Sequence, residues 1–433
     1  MSSDRLSTVR NLEALSDGVA RRDPSAYPVD GVLPAVALAP ATVEEVSACL
    51  AAADEAGLAV VPWGGGSHMA LGNHVSAYDV ALDLRALNAV VQHEPDDLTI
   101  AVQAGCTVAA LDRHLANHGQ ILPIDVAQPE RATIGGLLAT GLAGPRRFGY
   151  GALRDLLIGI TVVLPRGTVA RGGGMVVKNV SGFDMMRLYY GSLGSLAVIT
   201  QANFKVIPRP RAQRTVLARF SSLAAAARAA EAVRMSQLAP TAIVAVNEAA
   251  ARQADLPAAA WSVGLRCEAP PVAVARQAER IAEAIGAEAA ATEVIDHDGT
   301  EPLWQRINLA LDAAPAEQTI GVRVGAAPSQ LVTVAEAMIA SLTALDLEPA
   351  LTLDFGSGLA YVRTAGDPGV LLRAWDELAR LGAHATLLTA PAAIKRSTEV
   401  FGREPQGFAT MRALKAEFDP RGTLNRGRFI GNL

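Results

Sequence analysis

The chain has 433 residues, of which 50% are hydrophobic and 19% charged, and its net charge is -5. Such a length asks for two domains with subdomains, and such a composition buries a large core, which excludes a disordered chain. Charges of both signs are scattered, so no basic stripe offers a nucleic-acid surface, and no apolar run approaches the ~20 residues that a bilayer span needs.

Met1 to Arg22 alternates charged and apolar residues and lacks the apolar core and small-residue cleavage site of a secretion signal. The three cysteines, Cys49, Cys106 and Cys267, are odd in number and form no CxxC pair. That argues against a disulfide framework or zinc site and for a reducing, cytoplasmic setting. Cys49 and Cys106 stand among apolar residues and read as core packing.

Pro24, Pro28 and Pro34 mark an extended lead-in. A helix is predicted over 42–56, with Thr42 and Glu45 spaced as a capping box, Val43, Val46, Leu50 and Ala53 at helical period, and Gly57 as the terminal glycine. A short buried strand, Leu58 to Val61, then leads into Gly64-Gly65-Gly66-Ser67. Consecutive glycines after a buried strand leave backbone N–H groups bare to an anion, and Ser67 adds a hydroxyl donor. The segment is not a GxGxxG fingerprint, which would need glycine at Met69, and it is not a P-loop. Alone it fits a pyrophosphate cradle or a plain tight turn.

Val80 to Leu84 reads as a strand, and Leu98, Ile100 and Val102 alternate as in a half-buried one. A second helix is expected from Thr107 to His118, closed by Gly119. His114 and His118 stand i, i+4 on it and read as a surface pair rather than a metal clamp; no metal is expected. From Ala132 to Gly144, glycines recur through an apolar stretch at a cost in helix stability. Close approach of the main chain to a bulky planar ligand, or close packing of two elements, would explain them. A strong strand, Leu156 to Leu164, and the turn Pro165-Arg166-Gly167-Thr168 precede a third glycine-rich segment from Gly172 to Asp184, which continues through Gly191 to Ile199.

Pro208 and Pro210, with Arg209 and Arg211, mark the expected domain boundary. Beyond it, helices are predicted over 223–235, 272–285, 329–342 and 369–380, and strands over 242–246, 262–266, 321–324, 350–353 and 359–363. This pattern implies an α+β layer with helices on one face of an antiparallel sheet. One more amphipathic helix is expected near Thr410 to Phe418, before the Asp419 to Asn425 tail.

The three glycine-rich segments, in this order, resemble the PCMH-type FAD-binding domain of the vanillyl-alcohol-oxidase superfamily. Within it they are most similar to the FAD-binding subunits of bacterial glycolate oxidases. Thr133-Ile134-Gly135-Gly136, Gly141 to Arg147 and Lys178 to Asp184 carry the closer match, which is strong over residues 35–208 and returns in the tail from Asp419 to Phe429. The resemblance implies an α+β fold: a two-subdomain PCMH-type FAD-binding domain over 30–208, a ferredoxin-like cap over 212–390, and a tail over 391–433 that returns to the first domain.

It also implies a cofactor site. Pro62, Trp63, Gly64, Gly65, Gly66, Ser67 and His68 would wrap the FAD pyrophosphate. Pro123, Thr133, Gly135, Gly136, Thr140 and Gly141 would line the flavin and phosphates. Ile199 would meet the adenosine end, with Gly194 and Asn425 near the flavin. Arg146 would neutralise a phosphate or a substrate carboxylate, or be one of a solvated pair with Arg147. Arg147 and Lys178 are the catalytic candidates. Relatives that bind FAD covalently place a histidine directly after the glycines; here Ser67 intervenes before His68, and non-covalent FAD is expected.

Related D-2-hydroxyacid dehydrogenases carry a His-x-Gly-Asp-Gly-Asn-x-His metal motif. Its counterpart here, Asp354-Phe355-Gly356-Ser357-Gly358, retains glycines without histidine. The resemblance implies glycolate oxidation beside a sister flavoprotein subunit and an iron–sulfur subunit, in the cytoplasm or peripheral to the inner membrane through those partners. The alternatives are a self-sufficient dehydrogenase for another 2-hydroxyacid, such as D-lactate, and a non-catalytic scaffold subunit.

Overall fold

The structure is a computed structural model and describes residues 18–175, 183–311 and 318–433. Four short strands open it: β1 (Ala20–Arg22), β2 (Val36–Ala39), β3 (Val60–Trp63) and β4 (Val80–Asp83), in the order β1-β2-β4-β3. β2, β4 and β3 are parallel, and β1 is antiparallel at the edge. β2 and β4 are buried along their whole length, so their sequences run Val-Ala-Leu without polar alternation. The helix Val43–Glu55 packs against them. The Thr42 hydroxyl accepts from the Glu45 N–H at 3.1 Å, the Glu45 carboxylate accepts from the Ala41 N–H at 2.6 Å, and Gly57 ends the helix at φ 69°.

The second lobe adds β5 (Val90–Glu94), β6 (Thr99–Gln103), β7 (Gln120–Ile121), β8 (Leu157–Val163), β9 (Val169–Gly173), β10 (Val198–Lys205) and β11 (Ile207–Pro208). An antiparallel sheet runs β5-β6-β10-β8-β9, and β7 pairs with β11. The helices Val108–Ala116 and Ile134–Thr140 bury Leu111, Leu115, Ile134 and Leu138 against Ile100, Val102, Val162 and Phe204 of this sheet.

The remaining strands are β12 (Ala212–Phe220), β13 (Ala242–Asn247), β14 (Trp261–Ala269), β15 (Ala291–Ile295), β16 (Thr319–Gly325), β17 (Ala350–Asp354), β18 (Leu359–Ala365) and β19 (His384–Thr389). They form one eight-stranded antiparallel sheet, β15-β12-β14-β13-β17-β18-β16-β19. Its two halves are each a βαββαβ ferredoxin-like unit, with strand order 4-1-3-2 and then 2-3-1-4, joined edge to edge by β13 and β17. The resemblance implies one ferredoxin-like cap, and the structure contains two such units. β12, β15 and β19 were not legible as strands.

The two faces of that sheet differ in chemistry. Val216, Val263, Leu265, Ile320, Val322, Val324, Leu351 and Leu387 point to one core beneath the helices Leu223–Arg234, Pro271–Gly286, Leu331–Thr343 and Pro368–Leu378. Period-two alternation then sends Arg266, Glu268, Arg323, Asp354 and Tyr361 to the opposite face.

The tail returns to the first lobe. The Val60 N–H donates to the Thr423 carbonyl at 2.7 Å, and the Asn425 N–H donates to the Val60 carbonyl at 2.9 Å. Lys415, on the helix Phe408–Phe418, holds this return: its ammonium donates to the Asp419 carboxylate at 2.6 Å and to the Ser195 and Leu424 carbonyls. Asp419 also accepts from the Thr423 and Leu424 N–H groups. Among the described residues, no helix is long and apolar enough to cross a membrane. Lys415→Met would leave the buried Asp419 carboxylate without its cation. We expect a loss of about 3–5 kcal/mol, read as a lower guanidinium midpoint by circular dichroism.

Candidate functional site

The loop after β3 supplies bare main chain. Among the described residues, the N–H groups of Gly64, Gly65, Gly66 and Ser67 find no acceptor. The loop leaves the carboxyl end of a parallel strand, where open α/β sheets bind ligands. Beneath it, the Trp63 indole N–H donates to the Tyr78 hydroxyl at 2.8 Å, and the Trp63 ring stands edge-on to Tyr27. Trp63 is therefore a packed support for the glycines.

The loop touches the start of the second glycine segment directly. A Cβ on Gly64 would lie 2.2 Å from Thr133 Oγ1, and one on Gly65 would lie 1.7 Å from the Arg131 carbonyl oxygen. Thr133 caps the helix Ile134–Thr140 through the Gly136 N–H, and Gly141 ends it at φ 65°. Gly135 packs on Ala104, so its small size serves packing between elements, whereas a Cβ on Gly136 would meet only Thr133. The Thr140 hydroxyl donates back to the Gly136 carbonyl at 3.0 Å. The glycines therefore let two lobes meet main chain to main chain, and the donors left over suit a diphosphate.

A crevice continues from this junction between the first domain and the polar face of the large sheet. Ser67, His68, Leu71, Leu142, Ala143 and Gly144 line one side; Asn308, Tyr361, Arg363 and Leu388 line the other. A roomier cavity, about 440 Å³, lies elsewhere, between the helix Val108–Ala116 and residues of the second domain such as Glu301. Burial pushes the Tyr361 hydroxyl up to about 12, so it stays a neutral donor. The charges of Arg323 and Arg147 both act on this hydroxyl in the opposite direction. Neither arginine forms an ion pair among the described residues, and Arg323 Nε is buried without a partner. Arg323 and Tyr361 went unread in the sequence. The signal available was β-strand alternation, which places both on the face opposite Val322 and Val362.

Asn425, at φ 45°, donates from Nδ2 to the Leu193 carbonyl at 2.5 Å, and a Cβ on Gly194 would meet that Nδ2 at 3.1 Å and Pro62 Cγ at 3.7 Å. Pro62, Gly194 and Asn425 are thus one cluster. Ile199 lies on β10 at a register shift against β8. Pro123 borders a small recess with Asp125, Gly144 and Arg147. Lys178 lies outside the described residues. Arg146 differs from both readings made of it. It is buried, not solvated, and its guanidinium is taken up by Glu268 at 2.9 Å, Glu301 at 3.3 Å and Asp125 at 3.8 Å. Those carboxylates neutralise its charge and leave it a poor partner for a phosphate. The expected surface pair His114 and His118 is also larger than foreseen, because His93 on β5 joins it.

Asp354 ends β17 on the same polar face. Burial pushes its carboxyl up to about 7, against the opposing bonds from Ser357 and the charge of Arg147. An unfolded aspartate titrates near ~3.9, so the folded chain binds more protons between that pH and about 7. This contribution to stability is complete below the unfolded value and is lost as pH rises through the folded one, with a slope of at most about 1.4 kcal/mol per pH unit. Asp354→Asn lacks that slope. Thermal unfolding of both proteins at acidic and alkaline pH should show the variant gaining on the parent as pH rises.

Residues 34–173 match the family model described as FAD binding domain, and residues 400–429 match that of FAD linked oxidases, C-terminal domain. The chain is 26% identical over 425 residues to glycolate oxidase subunit GlcD of Bacillus subtilis, covering 92% of this chain and 89% of that protein. It is 42% identical over 132 residues to glycolate oxidase subunit GlcE of Escherichia coli, covering 30% of this chain and 38% of the relative. It is 34% identical over 175 residues to mitochondrial D-2-hydroxyglutarate dehydrogenase of Bos taurus, covering 40% and 32%. The chain thus spans most of the first relative and about a third of the other two. Its fold matches a structure of p-cresol methylhydroxylase with substrate bound, at a TM-score of 0.76 and 16% identity over 99% of this chain and 97% of that one. Because a Cβ at Gly65 would strike the Arg131 carbonyl, Gly65→Ala should force the lobes apart. The purified variant should lose most of the absorbance near ~450 nm that marks bound oxidised flavin. The matched FAD-binding and FAD-linked-oxidase segments, with the similarity to glycolate oxidase and 2-hydroxyacid dehydrogenase proteins, identify this chain as an FAD-dependent oxidoreductase with a PCMH-type FAD-binding domain.

Proposed function

We propose that this chain is the FAD-carrying subunit of a glycolate-oxidizing complex and takes a small 2-hydroxyacid into the crevice beside Tyr361. The observation that carries the reading is a pair of cations whose charge reaches Tyr361: Arg147 and Arg323, neither with an ion-pair partner among the described residues. A carboxylate is the natural counter-charge for two such guanidinium groups. The similarity to two glycolate oxidase subunits and to a D-2-hydroxyacid dehydrogenase supports the same substrate class.

Bound FAD supplies the acceptor for the two electrons and the hydrogen leaving the α-carbon. The protein's part is to hold and orient. The N–H groups of Gly64 to Ser67 would hold the diphosphate, and the junction with Thr133 and Gly136 would fix the two lobes around it. Ser67 separates His68 from the glycines, which favours a non-covalent cofactor. Arg147 and Arg323 would grip the substrate carboxylate, and the neutral Tyr361 hydroxyl could donate to it. Cys49, Cys106 and Cys267 are buried and far apart in sequence, so an iron–sulfur centre would belong to a partner subunit, beside a sister flavoprotein. The domain division 30–208, 212–390 and 391–433, and a cytoplasmic location peripheral to the membrane through partners, belong to this proposal.

Anaerobic titration tests it. Glycolate should bleach the flavin of the chain purified with its partners. Arg323→Met should raise the glycolate needed for half-reduction about 10- to 100-fold, the worth of one charge-assisted hydrogen bond, at unchanged flavin content. Reduction of the isolated chain by D-lactate but not by glycolate would favour a self-sufficient dehydrogenase instead. A flavin that no 2-hydroxyacid bleaches, with or without partners, would overturn both.

A further inference from the structure

The described residues hold one group of three close metal-ligating side chains, and it lies at the edge of the second lobe. His93 stands on the edge strand β5, His114 on the helix Val108–Ala116, and His118 just beyond that helix. One ring nitrogen from each lies within 4.8 Å of the other two. The ring centroids are 5.0, 4.7 and 5.6 Å apart.

The neighbours of His93 set its tautomer. The buried Gln120 donates from Nε2 to the Pro95 carbonyl at 2.8 Å, which turns its Oε1 toward His93. His93 Nε2, 2.9 Å from that oxygen, must therefore carry the ring proton. His93 Nδ1 is left with its lone pair, aimed at His114 Nε2 at 3.0 Å. An imidazole whose far nitrogen is fixed by a carbonyl oxygen, with its near nitrogen directed into a cluster of imidazoles, is the arrangement of a metal ligand with its outer support.

We propose that His93, His114 and His118 bind a divalent zinc-type ion through His93 Nδ1, His114 Nε2 and one nitrogen of His118. Tetrahedral ligands at ~2.0–2.1 Å from zinc stand roughly 3.3 Å apart, close to the present His93–His114 separation. The exposed His118 needs only a side-chain rotation to complete the set. His114 would move its ring proton from Nε2 to Nδ1, so the ion replaces the His93–His114 hydrogen bond and no net proton is lost. Three imidazoles without a carboxylate suit zinc, nickel or copper and disfavour magnesium or calcium. A bound ion would staple edge strand β5 to the helix behind it, and a fourth position would remain for water.

The test uses the flavin-loaded chain without an affinity tag, dialysed against chelator and then against zinc chloride, with metal read by atomic emission. One zinc per chain is expected. His93→Ala and His114→Ala should abolish it, and the surface change His118→Ala should weaken it, each with an unaltered flavin spectrum. Gln120→Leu keeps all three imidazoles but loosens His93, and should cost about 10- to 100-fold in affinity. No zinc uptake by the parent chain, or full uptake by the His118→Ala and His114→Ala variants, would overturn the proposal.

Discussion

Two stretches of backbone that meet without side chains between them set the geometry of everything else. Gly64 and Gly65 lie so close to Arg131 and Thr133 that a single methyl at either position would collide. This contact fixes how the parallel lobe sits on the antiparallel one. It also explains why donors remain on that loop. A chain pressed against a neighbour on one side and leaving a strand end on the other cannot form its own ladder, so its N–H groups are left without main-chain acceptors among the described residues. The tail strengthens the same junction from behind, because Leu424 lies beside Val60 in parallel, and Lys415 ties Asp419 to the Ser195 carbonyl of the second lobe.

A second interface rests on charge. Asp125 and Arg146 of the first domain face Arg266, Glu268 and Glu301 of the second, and Arg266 also bonds Glu301. Buried ion pairs add little net stability, since desolvation offsets much of their attraction. Their value here is orientation: a guanidinium shared among carboxylates from different elements accepts few alternative dockings. The crevice gains its shape from that docking, since one wall is the Leu142–Gly144 turn and the other is the polar face of the large sheet.

Legibility in the sequence followed the range of the interactions. The Thr42 cap, the Gly57 end and the helix between them are local, and they were readable because each partner lies within four residues of the other. The glycine segments were readable because missing side chains are visible in a sequence. Most second-domain strands were readable from alternation, but β12 carries polar residues such as Gln213 and Arg214 at its start, and β15 is mostly exposed. The fate of Arg146 was hidden. Its partners Glu268 and Glu301 lie 122 and 155 residues away, and no local pattern announces them. The same holds for His93, which is 21 residues from His114 and reaches it only because β5 folds back beside the helix.

Arg146 and Arg147 show how the fold divides labour between adjacent identical side chains. Arg146 begins the short helix Arg147–Tyr150 and turns into the carboxylate network. Arg147, one helical step of about 100° further round, points elsewhere. Its charge is felt by Asp354, Tyr361 and Tyr190, and none of them is an ion-pair partner among the described residues. With Arg146 neutralised, Arg147 and Arg323 are left as cations near this corner without ion-pair partners among the described residues. A carboxyl raised to about 7 at Asp354 is what burial imposes when the Ser357 bonds and the charge of Arg147 only partly compensate it. One of two neighbouring arginines is thus satisfied by carboxylates of the chain and the other is not, and under the proposed function it is the second that would meet the substrate's carboxylate.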